Sequence, residues 1–371
     1  MKIAIQAADL DANRIDGTRV YILNLLKHFG ALAPEDHFSI YHKGEFNAEL
    51  VPPQFTNYAI KKITAPCLWT QTRFAWELWR DTPDVLWMPM HNIPMMRKKK
   101  MQTVVTVHDL AYKYFPQYFP AKDRFLLNFL GGRAIQTAEK LIAVSESTKR
   151  DILHFYPSVP AERIKVIHHG FSADVYATAK DEGKIQELKQ RCRITKPYIL
   201  YSGAIQPRKN IGVLIEAYQK MRSSGFNNFQ LVIAGERAWL WDEVMHQIEV
   251  SPYQQDIILT GQLVFSDIGP LMQGASLYVF PSLYEGFGLT VLEAFSAGVP
   301  LIAANNSSLP EVGGDAPLYF DAENSQELSE KMARVLGDLA LQRTMVEKGF
   351  QQIKKFSWEQ CARETLDWMK A

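Results

Sequence analysis

Short apolar runs, separated by amphipathic helical stretches, recur from one end of this chain to the other. The first half reads KIAIQAA (2–8), FSIYH (38–42), DVLWM (84–88), TVVTV (103–107), KLIAVS (140–145) and IKVIHH (164–169). The second reads YILYSG (198–203), FQLVIAG (229–235), DIILTG (256–261), SLYVFPS (276–282) and PLIAA (300–304). Many of these runs lack the alternation of a strand with one wet face, so both faces must be covered. Amphipathic stretches at 18–33, 121–139, 210–222 and 325–337 can supply that cover. Asn324-Ser-Gln-Glu327 and Ser357-Trp-Glu-Gln360 read as capping boxes that open helices. Strand–helix alternation of this kind predicts α/β, doubly wound parallel sheets with right-handed crossovers.

The chain has 371 residues, about two domains at roughly 150 residues each. Residues 174–197 are charged and lack strand character, and Pro197 opens a new strand series. The expected organisation is therefore a Rossmann-like domain over 1–174, a linker over 175–196 and a second Rossmann-like domain over 197–356. Such sheets bind ligands beyond the carboxyl ends of their strands. Two of them facing each other would enclose a cleft suited to a small molecule.

Composition excludes several other classes. Apolar residues make up 47% and charged residues 22%, with 20 Phe, 15 Tyr and 8 Trp to bury, so a disordered chain does not fit. Lys and Arg number 41 against 40 Asp and Glu, which argues against a surface built to grip nucleic acid. Cys67, Cys192 and Cys361 are far apart and odd in number, so a disulfide framework or structural zinc is not expected and a reducing cytosol fits. Residues 274–304 contain only Glu285 and Glu293 as charges and are long enough to span a bilayer. Pro281, Pro300 and the glycines punctuate them, and the reading is strand, helix, strand.

The most informative segment is Pro281-Ser-Leu-Tyr-Glu285-Gly-Phe-Gly-Leu-Thr-Val-Leu-Glu293-Ala. A buried strand ends at Phe280 or Pro281, a glycine-bearing loop follows, and a helix begins near Phe287 to Leu289. Its N-terminus would offer amides and a positive dipole end to phosphate, with Gly286 and Gly288 allowing close approach. Glu285 beside those amides and Glu293 inside the helix suit hydroxyl recognition, as in sugars or ribose. Alone, Glu285 also reads as a solvated loop residue; the apolar neighbours of Glu293 weaken an exposed-face reading. Arg208 and Lys209 follow a strand end, and Asn210 can cap the helix that starts there. Two cations at that point would hold a diphosphate and stabilise charge on a departing phosphate, Arg as a planar fork and Lys as a point charge. By themselves they read first as a surface basic pair, which is common.

Glu285 and Glu293 in SLYEGFGLTVLEAFSAGVPLIAANNSSLPEVGGDA resemble the retaining glycosyltransferases of family four, which have the B-type fold of two facing Rossmann-like domains. The resemblance extends over most of the chain. Gly203-Ala-Ile-Gln-Pro-Arg208-Lys209-Asn210 resembles the family's diphosphate-binding segment, and Ile233-Ala-Gly235-Glu236 its next strand end. Thr106-Val-His108-Asp109-Leu110, Val144 to Ile152, Val166-Ile-His-His-Gly170 and Phe356-Ser-Trp358 follow in the family's pattern.

The resemblance implies a nucleotide-diphosphate sugar as donor, with no required metal and no further cofactor. It implies that Glu285 binds donor hydroxyls, Glu293 the ribose, and Arg208 and Lys209 the diphosphate, assisted by amides of Gly288, Leu289 and Thr290. His108 would contact the donor sugar near the reaction centre; a lone histidine at a strand end is otherwise a satisfied structural one. Asp109 is expected to brace the turn or His108. Gly17 corresponds to a glycine-rich loop of the family, though a single Gly before Thr18 and Arg19 is a thinner match and equally a turn glycine. The last helix, from Ser357, is implied to pack back on the first domain. No G-x-G-x-x-G follows the first strand, which weakens a nicotinamide-enzyme reading.

The expected function is hexose transfer to a hydroxyl of a saccharide or lipid-linked acceptor, in polysaccharide or glycolipid assembly. Tyr112 to Pro120 (YKYFPQYFP) is similar to mannosyltransferase-like members, which makes GDP-mannose the first donor to consider and UDP-sugars the alternative. A sugar synthase with a small soluble acceptor and a non-catalytic nucleotide-sugar binder remain as other readings. Asn305-Asn306-Ser307-Ser308 is expected to be a donor-side loop. Trp69, Arg73, Trp76 and Arg80 at helical spacing, with Arg97-Lys-Lys-Lys100, could rest on an anionic membrane face, or be a core-packing helix and a solvated loop.

Overall fold

The computed structural model describes residues 1–13, 15–65, 67–171, 180–236 and 241–371. The chain forms two compact units: Met1–Gly170 with Phe356–Ala371, and Phe171–Lys355. The expected end of the first domain at 174 and the start of the expected linker, 175–179, lie outside the described residues. The rest of that segment carries the helix Glu182–Arg191, which belongs to the second unit and packs there against the helix Phe265–Gln273.

The first unit holds a seven-stranded parallel sheet in the order β3-β2-β1-β4-β5-β6-β7. Its strands are β1 (Lys2–Gln6), β2 (His37–His42), β3 (Tyr58–Lys62), β4 (Val85–Met88), β5 (Gln102–Val107), β6 (Lys140–Ala143) and β7 (Ile164–Val166). Every neighbouring pair is parallel, with Ile3 opposite Phe38 and Val85, and Val105 opposite Leu141. The middle strands are apolar on both faces because helices cover both, as the unalternating sequence runs require. Edge strand β3 lacks that signature: YAIKK is largely exposed, and its register on β2 fixes it. The last helix, Trp358–Lys370, packs on the first, Gly17–Leu32. Lys140 Nζ donates to Trp368 O at 2.9 Å, and Trp368 Nε1 donates to Leu141 O at 3.1 Å.

The second unit holds a six-stranded parallel sheet, β10-β9-β8-β11-β12-β13. Its strands are β8 (Tyr198–Ser202), β9 (Gln230–Ala234), β10 (Ile257–Gly261), β11 (Leu277–Phe280), β12 (Leu301–Ala304) and β13 (Leu318–Phe320). The apolar stretch 274–304 resolves into β11, the helix Leu289–Ser296 and β12. Among the described residues no helix is long and apolar enough to cross a membrane. Asn324 accepts from Glu327 N at 3.0 Å and Ser357 Oγ from Gln360 N at 3.3 Å, so both N-caps form; Glu327 accepts from Asp321 N and the Asn324 N–H goes to Asp321 O, so the first is a cap without the returning bond of a box.

Each sheet reverses its winding once, between β1 and β4 in the first and between β8 and β11 in the second. At such a point the loops leaving the two strands diverge and open a crevice at the carboxyl edge. Gly17 follows β1, Arg208 and Lys209 follow β8, and Glu285 follows β11, so the sequence motifs collect at these two positions.

Candidate active site

In the second unit the loops after β8 and β11 are stitched together. Leu283 N–H donates to Arg208 O at 2.9 Å, and Arg208 Nη1 donates to the Tyr284 carbonyl. Lys209 Nζ lies 2.5 Å from Glu285 Oε1, and Arg208 Nη1 lies 3.4 Å from Glu285 Oε2. All three side chains are largely buried, at 16% exposure for Arg208, 15% for Lys209 and 12% for Glu285. Burial alone would raise the Glu285 carboxyl, but the Lys209 and Arg208 charges outweigh it and hold the group at about 2. The cluster is thus one carboxylate between two cations, with a net positive charge left for an anionic ligand.

Asn210 corrects the expectation drawn from its position. It precedes the helix Ile211–Ser223 but sits at φ 57°, and its side chain makes no cap bond to that helix. Its amide instead donates to Pro281 O at 3.1 Å and Ala322 O at 2.7 Å. A side chain that reaches across to β11 cannot also turn back on its own helix. It fastens the cation-bearing turn to the carboxylate-bearing loop.

Gly203 and Gly235 close β8 and β9 at φ 146° and 152°. A Cβ on Gly235 would stand 1.9 Å from the Gly203 carbonyl oxygen, so the two strand ends come together only with glycine there. Gly288, at φ 94°, occupies the N-cap of the helix Leu289–Ser296, and Val291 N–H returns to its carbonyl at 3.0 Å. The amides of Leu289 and Thr290 belong to the first turn, where a helix has no internal acceptors to offer. Glu293, in the next turn, is half-buried, and its charge acts on Tyr278, whose hydroxyl lies 2.8 Å from Ser202 Oγ.

The Asn305–Ser308 loop braces this arrangement. Glu285 N–H donates to Ser307 Oγ at 3.0 Å, and Ser308 Oγ donates to the carbonyls of Glu285 and Phe287, each at 2.9 Å. Asn306 Nδ2 donates to Ser282 O at 3.1 Å. Nothing local in the sequence pointed to these braces, because each spans a crossover helix.

The first unit carries the other residues. His108 leaves the end of β5, and its Nε2–H donates to Pro89 O at 2.8 Å, which leaves Nδ1 as the acceptor nitrogen. Burial pushes the ring down to about 4, so it is neutral at physiological pH. Asp109 Oδ1 accepts from Ala111 N at 3.0 Å and so braces the turn. Gly17 opens the first helix, whose N-cap Asp16 accepts from Arg19 N at 3.2 Å. His91, on the loop after β4, went unnoticed in the sequence; it is half-buried with both ring nitrogens out of solvent, its charge is felt by His108 and it itself feels Asp109. Among the described residues no three His, Cys, Asp or Glu side chains gather as a bound metal would require.

These features meet known proteins along nearly the whole chain. Residues 15–175 match the model "Glycosyltransferase Family 4", and residues 184–352 match "Glycosyl transferases group 1". The chain belongs to the glycosyltransferases. It is 29% identical over 373 residues to the O-antigen chain mannosyltransferase B of Escherichia coli, covering 95% of each protein. It is 25% identical over 254 residues to the alpha-maltose-1-phosphate synthase of Mycolicibacterium smegmatis, covering 63% of each. The solved structure of HepE from Anabaena, in complex with UDP and glucose, superposes with a TM-score of 0.75 at 17% identity over all of both chains. That likeness makes the fold of this glycosyltransferase the GT-B type, with two Rossmann-like domains.

Proposed function

We propose that this glycosyltransferase moves a hexose, with retention of configuration, from a nucleotide-diphosphate sugar to a hydroxyl of a saccharide or lipid-linked acceptor. The observation that carries the reading is the Arg208–Lys209–Glu285 cluster. It places two cations beside a helix N-terminus at the switch point of the second sheet. In the transfer the anomeric C–O bond to the diphosphate breaks and a bond to the acceptor oxygen forms on the same face. The acceptor proton passes to the departing phosphate. Charge accumulates on that phosphate, and fixed cations stabilise it without having to reorganise.

Glu285 sets the two cations and turns a carboxylate oxygen to the donor hydroxyls; Glu293 takes the ribose. Gly203, Gly235 and the amides of Gly288, Leu289 and Thr290 let the diphosphate approach the backbone. The first unit takes the acceptor, and His108 and Gly17 stand at the carboxyl edge of its sheet.

Mannose from GDP-mannose is the first donor, supported by the likeness to the O-antigen mannosyltransferase. A product of polysaccharide or glycolipid assembly follows from the same likeness. The alternative is a sugar synthase with a small soluble acceptor, which the resemblance to the maltose-1-phosphate synthase favours. The full chain, incubated with GDP-mannose and methyl α-mannoside, is expected to release GDP and form an α-linked disaccharide, read by proton NMR. A β-linked product would refute retention. Release of nucleotide from UDP-glucose alone would move the donor to the UDP-sugars.

A further inference from the structure

Val166-Ile-His-His-Gly170 and Phe356-Ser-Trp358 take no part in the site described so far, and the fold brings them together beside His108. His169 follows β7 and is 5% exposed; Trp358, also 5% exposed, is the first residue of the last helix. The chain at Gly170 runs so close to that helix that a Cβ there would lie 2.1 Å from Trp358 N. The indole ring of Trp358 stacks over the His169 imidazole at 6.0 Å and 29°. His169 stacks in turn on the fully buried Tyr21 at 4.7 Å and 28°. Tyr21 meets His108 edge-on at 5.1 Å and 85°, and His169 meets it at 5.5 Å and 61°.

We propose that His169 and Trp358 are positioning residues for His108: with Tyr21 they form a ring stack that fixes the plane and the tautomer of its imidazole. The inference rests on the reading of His108 as a residue of the transfer site. The Pro89 carbonyl accepts the Nε2 proton, but one hydrogen bond leaves the ring free to tilt about it. The two ring contacts remove that freedom. Tyr21 is itself anchored, since its hydroxyl lies 3.3 Å from Thr106 Oγ1, the same oxygen that accepts from Trp87 Nε1 at 3.1 Å. Thr106 stands two residues before His108 on β5, so the stack and the imidazole are referenced to one strand. The lone pair on Nδ1 is then aimed in a fixed direction, as a group that orients a hydroxyl by accepting its hydrogen bond must be. The last helix becomes part of the site's construction as well as a cover for the sheet.

The groups that act on the two imidazoles are His91, Asp109 and Asp16 around His108, and His168 beside His169. None of them is altered in the test. Long-range 1H–15N NMR of the full chain, labelled in its nine histidines, reads the tautomer directly. His108, assigned by His108→Asn, is expected to show one protonated Nε2 and one unprotonated Nδ1. In Trp358→Leu or His169→Leu these signals move toward the tautomer average, while Trp358→Phe and His169→Phe keep the wild-type pattern. Turnover of GDP-mannose falls about 100-fold in the leucine variants, with GDP affinity unchanged. If one leucine variant fails to fold, the other gives the same comparison. Wild-type His108 signals in a folded leucine variant would overturn the proposal. The spectrum needs neither donor nor acceptor, so an error in the proposed donor leaves this test intact.

Discussion

Glu285 lies between Arg208 and Lys209, although a site for a diphosphate needs only the cations. The pairing has an energetic consequence. Removing one partner of a buried ion pair leaves the other charge desolvated, at a cost of about 3–5 kcal/mol. Lys209→Ala is therefore expected to destabilise the second unit by about 3 kcal/mol, since Arg208 still compensates in part. Lys209→Met with Glu285→Gln removes the under-compensated carboxylate but also takes that carboxylate from Arg208, which keeps its bond to the Tyr284 carbonyl. It should therefore recover part of that stability in urea unfolding, yet turn over donor at least about 100-fold more slowly than wild type. Recovery of turnover along with stability would show that the cluster only holds the fold. Acid has a related effect. The folded Glu285 carboxyl sits at about 2 against an ordinary 4.5, and folded His108 at about 4 against 6.5. Both folded values lie below the unfolded ones, so the unfolded chain binds protons first and stability falls with pH. The His108 share is lost between about pH 6.5 and 4 and the Glu285 share between about 4.5 and 2, each about 3 kcal/mol. Burial also lowers His169 and His91, so His108→Asn should reduce but not abolish the slope of melting temperature against pH over the upper window, and leave the lower one as it is; an unaltered upper slope would contradict a buried neutral His108. The sequence motifs named Arg208, Lys209, Glu285 and His108 individually. It could not show that Lys209 and Glu285, 76 residues apart, are partners, because parallel crossovers set that distance.

Among the elements, the sequence runs announced the buried strands and the edge strands β7 and β10, but missed β3 and β13. β3 and β13 have neighbours on one side only, so they need no unbroken apolar run and leave no such signal. The aromatic helix after Trp69 shows the reverse fault. Trp69, Arg73, Trp76 and Arg80 share a face on an ideal helix, but Thr70–Phe74 forms a π turn in which Phe74 N–H reaches Trp69 O at 3.0 Å. The extra residue rotates Trp69 away; it is 8% exposed and stacks on Phe74 at 4.8 Å. Trp76 remains 61% and Met96 72% exposed, and Lys98 Nζ lies over the Trp79 ring at 5.4 Å. We propose this narrower face, with Lys99 and Lys100, as the peripheral membrane contact. Each basic residue near an anionic surface contributes about 1 kcal/mol, so Lys98, Lys99 and Lys100 changed together to Glu should weaken binding to phosphatidylglycerol vesicles by roughly 100-fold or more. Equal sedimentation of variant and wild type would remove the membrane reading.

At the scale of the molecule, each unit is a doubly wound sheet whose winding reverses once, the kind of point at which such sheets place ligands. The alternation of strand and helix made that architecture legible without any motif. The division itself was less legible: the charge of 174–197 suggests a linker, while its helix Glu182–Arg191 packs into the second unit through two buried residues, Ile185 and Leu188. A short amphipathic helix rich in charge looks like a linker until its partner is known. On the proposed reading the second unit holds a nucleotide diphosphate on Arg208 and Lys209. Thermal unfolding of the full chain with GDP, UDP, ADP and CMP in parallel tests it most directly, with the Lys209→Met, Glu285→Gln variant as control. A nucleotide at about 100 times its dissociation constant adds about 2.7 kcal/mol of stability. The expected result is a shift with GDP that exceeds those of the others and is clearly smaller in the variant, which keeps only Arg208 of the two cations; no shift with any nucleotide, or an undiminished shift in the variant, would overturn the assignment of these cations.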